Sequence, residues 1–167
     1  YYSRKSVQNA IVEVSADREV SSMHGDAFGR RPDTVQFAGD VLDMAKKGAT
    51  SFHVSEERWK DPMDLKPGML KKDLDENRKG WDLILDIDTP YWDYARWCSF
   101  LLVEAIKSYD IENISVKFSG SKGFHIGIPF EAFPDKVGDV KTKDMFPALP
   151  KILTLFLEDR ITERLAQ

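Results

Sequence analysis

Two short segments carry residues whose types and spacing could do chemistry. The first is Trp81-Asp-Leu-Ile-Leu-Asp-Ile-Asp88. On a strand, side chains alternate faces and the chain rises about 3.3 Å per residue, so Asp86 and Asp88 share a face about 6.6 Å apart. Leu83, Leu85 and Ile87 turn the other way and anchor the strand in a core. Two carboxylates this close in a half-buried place repel each other. A divalent cation removes the conflict, and hard oxygen donors suit Mg²⁺ or Mn²⁺. Such an ion can hold a triphosphate and help to activate a hydroxyl nucleophile. The plainer alternative is a strand whose polar end simply meets water. Asp82 shares the parity but stands at the start of the strand, where solvation is expected.

The second segment is Phe118-Ser-Gly-Ser-Lys-Gly-Phe-His-Ile-Gly-Ile128. Gly120 and Gly123 permit positive φ, so consecutive N–H groups can converge on an anion. Ser119 and Ser121 add hydroxyl donors, Lys122 adds a compact charge, and His125 follows on the outgoing strand. Alternation puts His125 on one face with Gly127, with Lys117 on the polar face of the incoming strand. Gly127 lets a ligand approach the sheet closely. The G-x-x-x-x-G-K-[ST] spacing of a Walker loop is absent, and a strand rather than a helix follows. A plain hairpin turn explains the glycines and serines but not the clustering of Lys122 and His125.

The elements that must position these residues are regular in the second half. A strand is expected over 82–88. Thr89 then caps a helix with Pro90 in its first position, running to about Ser108 with Ala95, Cys98, Leu102 and Ile106 along one side. A strand over 114–118, a turn over 119–123, a strand over 124–130 and a helix over 152–165 complete the order β-α-β-β-α. These are five of the six elements of a split β-α-β-β-α-β sandwich, an α+β fold. In the first half a helix is expected over Lys5–Val14 and a loop over 20–31. Asp33 should cap a helix that uses Val35, Ala38, Val41, Leu42 and Ala45 and stops at Gly48. A short strand is expected over Ser51–Val54 and a surface linker over 61–80. One domain is expected, with an N-terminal unit over 1–80 and a metal- and nucleotide-binding unit over 81–167.

Composition narrows the class. The 167 residues are 42% hydrophobic and 31% charged, which suits a globular chain and argues against wholesale disorder. A single cysteine excludes a disulfide framework within the chain and a multi-cysteine zinc site, so no structural zinc is expected here. An intracellular, cytoplasmic setting is the simplest expectation. No apolar run has membrane-spanning length and the N-terminus lacks a signal-peptide pattern, so no membrane is expected. The first residue is Tyr, which suggests a trimmed chain or a piece of a longer protein. A net charge of −4 counts against a large DNA-coating surface but permits a local basic patch.

At the two motifs the chain resembles the small, catalytic subunit of the archaeo-eukaryotic primases. Asp86-Ile87-Asp88 matches that family's acidic motif, and the run from Ser119 to His125 matches its S-G-x-x-G-x-H motif. Tyr1-Tyr2-Ser3-Arg4, Arg30-Arg31-Pro32 and Ser51-Phe-His-Val-Ser55 ahead of Trp59 look like the family as well. The repair polymerase domains fused to bacterial ligases share both motifs. The resemblance implies an RRM-like catalytic core in which Asp86 and Asp88 bind the catalytic Mg²⁺ or Mn²⁺ ions. Ser119, Gly120, Ser121, Lys122 and His125 would then hold the triphosphate. It implies template-directed primer synthesis by two-metal phosphoryl transfer, with a DNA template, nucleoside triphosphates and a primase large subunit or other replication protein as partners. It also implies a third acidic residue on a later strand. Asp139, Asp144, Glu158 and Asp159 are acidic residues downstream, but none falls in an expected strand. A non-catalytic nucleotide- or nucleic-acid-binding module of a replication or repair complex is the alternative.

His24 and His53 read as surface or packing histidines. Trp92 and Trp97 could stack bases but read as core, Cys98 reads as an inert core thiol, and Arg30, Arg31, Lys71 and Lys72 could meet a template backbone or be ordinary solvated charge.

Overall fold

The computed structural model describes residues 1–120 and 122–165. Helices and small antiparallel sheets alternate along the chain, an α+β composition. The chain divides into two compact units, Tyr1–Gly80 and Trp81–Gln167.

In the first unit, α1 (Lys5–Val14) and α2 (Ala38–Lys46) pack together. A sheet of order β2-β1-β3 is built from β1 (Val20–His24), β2 (Ala27–Phe28) and β3 (Ser51–Val54). Its core holds Val20, Val35 and Val41, with Ile11, Met44 and Phe52 against them. The loop expected over 20–31 is therefore a hairpin turning at Gly25, whose φ is +61°. Pairing from Val20↔Val54 to Met23↔Ser51 supplies what the two serines of β1 lack in strand propensity.

Asp33 does not cap α2. Its carbonyl accepts from Val20 N–H and its carboxylate from Thr34 N–H. The helix starts at Ala38, and the Asp40 carboxylate, accepting from Gln36 and Phe37 N–H, holds its first turn. A negative group there also meets the positive end of the helix.

The surface linker expected over 61–80 is also overturned. Asp61 caps a 3-10 turn by accepting from Met63 N–H, α3 covers Lys71–Asn77, and β5 (Arg78–Trp81) pairs with β4 (Glu57–Trp59). Arg78 is 2% exposed, donates to Glu57 through Nε and Nη2 at 2.9 and 2.7 Å, and also pairs with Asp75. Its guanidinium lies 5.3 Å from the ring centre of Trp59. A charge so enclosed is tolerated because carboxylates and a ring face replace its water.

In the second unit, β6 (Leu83–Asp88), α4 (Trp92–Lys107), β7 (Ser115–Phe118), β8 (Gly123–Ile128) and α5 (Ala148–Leu165) follow one another. The sheet order is β6-β8-β7, both pairings antiparallel, so β8 fills the space that the α4 crossover leaves between β6 and β7. Leu83, Leu85, Ile87, Ile126 and Ile128 pack against Ala95, Leu102, Ala105 and Ile106 of α4 and Leu157 and Ile161 of α5. Trp81 is fully buried among Phe130, Phe133 and Phe146, and its indole N–H donates to the Thr142 carbonyl at 3.0 Å. Strand β8 stops at Ile128, short of the expected Phe130, because Pro129 opens a 3-10 turn over Phe130–Ala132. A small hairpin of β9 (Lys136–Val137) and β10 (Val140–Lys141) precedes α5. Among the described residues no helix is long and apolar enough to cross a membrane.

Candidate functional site

The register of the second sheet decides which polar residues meet. Asp88 lies opposite Gly123, Asp86 opposite His125, and Ile84 opposite Gly127. Across β8, His125 is opposite Lys117 and Gly127 opposite Ser115. One sheet face therefore carries Asp88 and Gly123 on a first rung, Asp86, His125 and Lys117 on a second, and Ile84, Gly127 and Ser115 on a third. Alternation along β6 is strict: Leu83, Leu85 and Ile87 are buried, while Ile84, Asp86 and Asp88 are exposed. The hydrophobic face against α4 and α5 thus forces the aspartates outward on the side away from the helices.

His125 Nε2 stands 3.4 Å from Asp86 Oδ1, with the side chains 35% and 65% exposed. That is ion-pair range but long for a hydrogen bond. Asp86 and Asp88 are exposed rather than half-buried, so water screens their repulsion and repulsion alone does not demand a cation.

The turn over 119–123 closes on itself. Ser119 N–H donates to the Gly123 carbonyl at 2.9 Å, and Gly123 N–H donates to Ser119 Oγ at 3.2 Å. Ser119 therefore acts first as an acceptor, and its own hydroxyl proton stays available to an outside oxygen. Gly120 has φ +95° in open space. Gly123 is required for a different reason: a Cβ there would lie 1.6 Å from the Ile87 carbonyl oxygen. Lys122 is exposed. The expected contribution of Ser121 lies outside the described residues.

Thr89 Oγ1 accepts from Tyr91 N–H at 3.3 Å, ahead of a helix whose first residue is Trp92. Trp92 and Trp97 are not core residues, being 50% and 56% exposed. Trp92 packs on Phe118 and Phe124, on the helix side of the sheet, opposite to the face of Asp86. Asp82 accepts from Phe130 N–H at 3.0 Å rather than meeting only water.

Along β6, on the side away from β8, a cavity of about 430 Å³ runs between the strand, α4 and α5. Tyr94, Cys98 and Glu158 line it together with Asp86 and Asp88. Burial, and then Glu158, raise the Cys98 thiol above its ordinary pKa, which suits an unreactive thiol. Asp139 sits in the turn of the β9–β10 hairpin, Asp144 in a 3-10 turn paired to Lys143, and Glu158 and Asp159 in α5. Among the described residues no three His, Cys, Asp or Glu side chains converge to hold a metal ion.

Elsewhere, His24 and His53 accept or donate within their own strands, to Ser22 at 3.1 Å and Ser51 at 3.0 Å. Arg31 is bidentate to Glu19 at 2.8 Å, and Lys71 pairs with Asp75 at 2.5 Å. Ser115 and Ile84, which complete the third rung, were not singled out from sequence. The parity that selects Lys117 selects Ser115 as well, and the parity of the aspartates selects Ile84.

No protein-family model matches the chain. Over 58 residues it is 36% identical to an uncharacterized protein of Methanocaldococcus jannaschii, MJECS07. The match covers 34% of this chain and 13% of that protein, so the chain aligns with a small part of that relative's length.

Proposed function

We propose that this chain is a primase-type nucleotidyltransferase core, which joins nucleotides on a DNA template by metal-assisted phosphoryl transfer. The observation that carries the reading is the register: Asp86 with His125, and Asp88 with Gly123, on one exposed sheet face. Two carboxylates and a glycine-serine turn thereby open onto the same surface. The order β6-α4-β7-β8-α5, with β8 between β6 and β7, agrees with the split β-α-β core of RRM-like catalytic domains.

Asp86 and Asp88 are the residues to hold Mg²⁺ or Mn²⁺, since both present exposed oxygen donors. The ion supplies charge neutralisation and orientation of a triphosphate. The chain's own groups do the rest. The Ser119 hydroxyl proton, the Lys122 ammonium and the His125 ring grip phosphate oxygens and hold the α-phosphorus in line for a primer 3′-hydroxyl, whose oxygen displaces pyrophosphate as the α–β bond breaks. A replication partner and a third carboxylate belong to the same reading.

The test is Mn²⁺-dependent dinucleotide synthesis on single-stranded DNA, together with nucleoside triphosphate binding. Asp86→Asn with Asp88→Asn abolishes both. Primer synthesis that survives the double change ends the reading.

A second reading, a nucleotide-binding module that does not polymerise, is favoured by the 3.4 Å approach of His125 to Asp86, because a ring N–H aimed at that carboxylate competes with a cation for it. Triphosphate binding that needs Lys122 and His125, is indifferent to Mn²⁺ and gives no turnover selects it.

A further inference from the structure

The third rung of the exposed sheet face differs in chemistry from the other two. It has no charge: Ile84 is 40% exposed, Gly127 is buried beneath its neighbours, and the exposed Ser115 carries a hydroxyl. A pocket of about 340 Å³ opens there, with Asn113, Asp82 and Pro129 at its rim. Its size lies at the lower end of ordinary small-molecule sites, and its apolar floor with a few polar groups is their usual make-up.

We propose that this pocket receives the nucleoside half of a nucleoside triphosphate whose phosphates lie on the first two rungs. The inference rests on the nucleotide-binding reading above and adds to it where the sugar and base go. Rungs on one face are two residues apart, about 6.6 Å along the strand. The 119–123 turn, the Asp86–His125 rung and the Gly127 rung therefore follow one another in a line. That is also the order of terminal phosphates, α-phosphate and nucleoside in the ligand.

Gly127 makes the pocket. A Cβ there would come within 2.6 Å of Ser115 Oγ and 3.5 Å of Ile84 Cδ1, so a larger residue must push the Ser115 side chain into the space that a sugar or base needs. Ser115 Oγ donates to the Gly127 carbonyl at 3.3 Å, a long, part-buried bond. Turning that hydroxyl outward to a sugar oxygen costs little. Ile84 gives the flat apolar contact that a base or sugar face prefers, and the Asn113 amide offers both a donor and an acceptor.

The experiment compares two probes in the presence of Mn²⁺: a nucleoside triphosphate and inorganic tripolyphosphate. The second carries the phosphates without the nucleoside. Ser115→Trp, on the sheet-edge strand β7, plugs the pocket without touching the turn or the aspartates. Gly127→Val does so from the floor. Each is expected to weaken nucleoside triphosphate binding at least about tenfold, roughly the loss of one good apolar contact set. Tripolyphosphate binding is expected to stay within about twofold, and its retention reports that the sheet is still folded. If Ser115→Trp binds both probes like the parent, the pocket assignment is overturned while the phosphate site stands. If the parent binds neither probe, the nucleotide-binding reading falls and this inference falls with it.

Discussion

Gly123→Ala is the change that most directly tests how the hairpin is clamped to the acidic strand. The new Cβ would lie 1.6 Å from the Ile87 carbonyl oxygen, 2.7 Å from its carbon and 3.2 Å from Asp88 Cα. Ordinary contact begins near 3.4 Å, so the strands must part by roughly 1.8 Å at that rung. All three obstructing atoms are main chain, and no rotamer change relieves them. Parting the strands loses the Asp88↔Gly123 pairing, one or two ladder bonds at about 0.5–1.5 kcal/mol each. Backbone displacement around an overpacked site adds about 1–3 kcal/mol. The expected loss is therefore about 1.5–6 kcal/mol, a large part of a typical domain's stability. Urea titration followed through the buried Trp81 measures it. Gly120→Ala is the control: its Cβ meets nothing within 4 Å, so only the positive φ opposes it, at about 1–2 kcal/mol. The midpoints of the two ranges differ by about 2 kcal/mol. A Gly123→Ala protein that loses less than Gly120→Ala would refute the close-approach argument and, with it, the tight seating of the turn beside Asp88.

Three further outcomes are expected. Arg78→Met leaves Glu57 and Asp75 without their shared guanidinium and should cost about 3–5 kcal/mol in a denaturant titration of the first unit; a loss under about 1 kcal/mol would show the network to be dispensable. Burial, and then the neighbouring Glu57, raise the Glu56 carboxyl above its ordinary value. The folded state then holds its proton to higher pH than the unfolded chain, so this group's contribution falls as pH rises through and above its unfolded value. Glu56→Gln should stabilise modestly at neutral pH, by under about 1 kcal/mol, and the gain should vanish below the ordinary carboxylate range; equal stability curves from acid to neutral pH would contradict this. Burial, and then Glu158, also raise the Cys98 thiol, so a neutral maleimide should label it at least about tenfold more slowly in the folded protein than in urea, and Glu158→Gln should speed the folded-state reaction. Labelling at the unfolded rate would place Cys98 outside the shielded cavity.

What the residues alone determine about this protein is set by period and parity. A buried sheet face admits only Leu83, Leu85 and Ile87 from β6, and that exclusion turns Asp86 and Asp88 outward together. The same alternation puts His125 with Gly127 and Lys117 with Ser115. Strong local signals also mark α4 and the 119–123 turn. Tertiary structure decides the rest, because it depends on partners distant in the chain. Serines 21 and 22 sit in a strand because β3, some thirty residues on, pairs with it. Arg78 enters the interior because Glu57 and Asp75 converge on it, which no local pattern announces in a stretch that reads as polar linker. Trp92 and Trp97 stay half in water because Ala95, Ser99, Leu102 and Ile106 take the inward face of α4. Register belongs to the same class. Parity says that Asp86 and His125 each face outward, but only the pairing of β6 with β8 makes them neighbours, since sliding one strand by two residues would keep every side chain on its face and separate the pair.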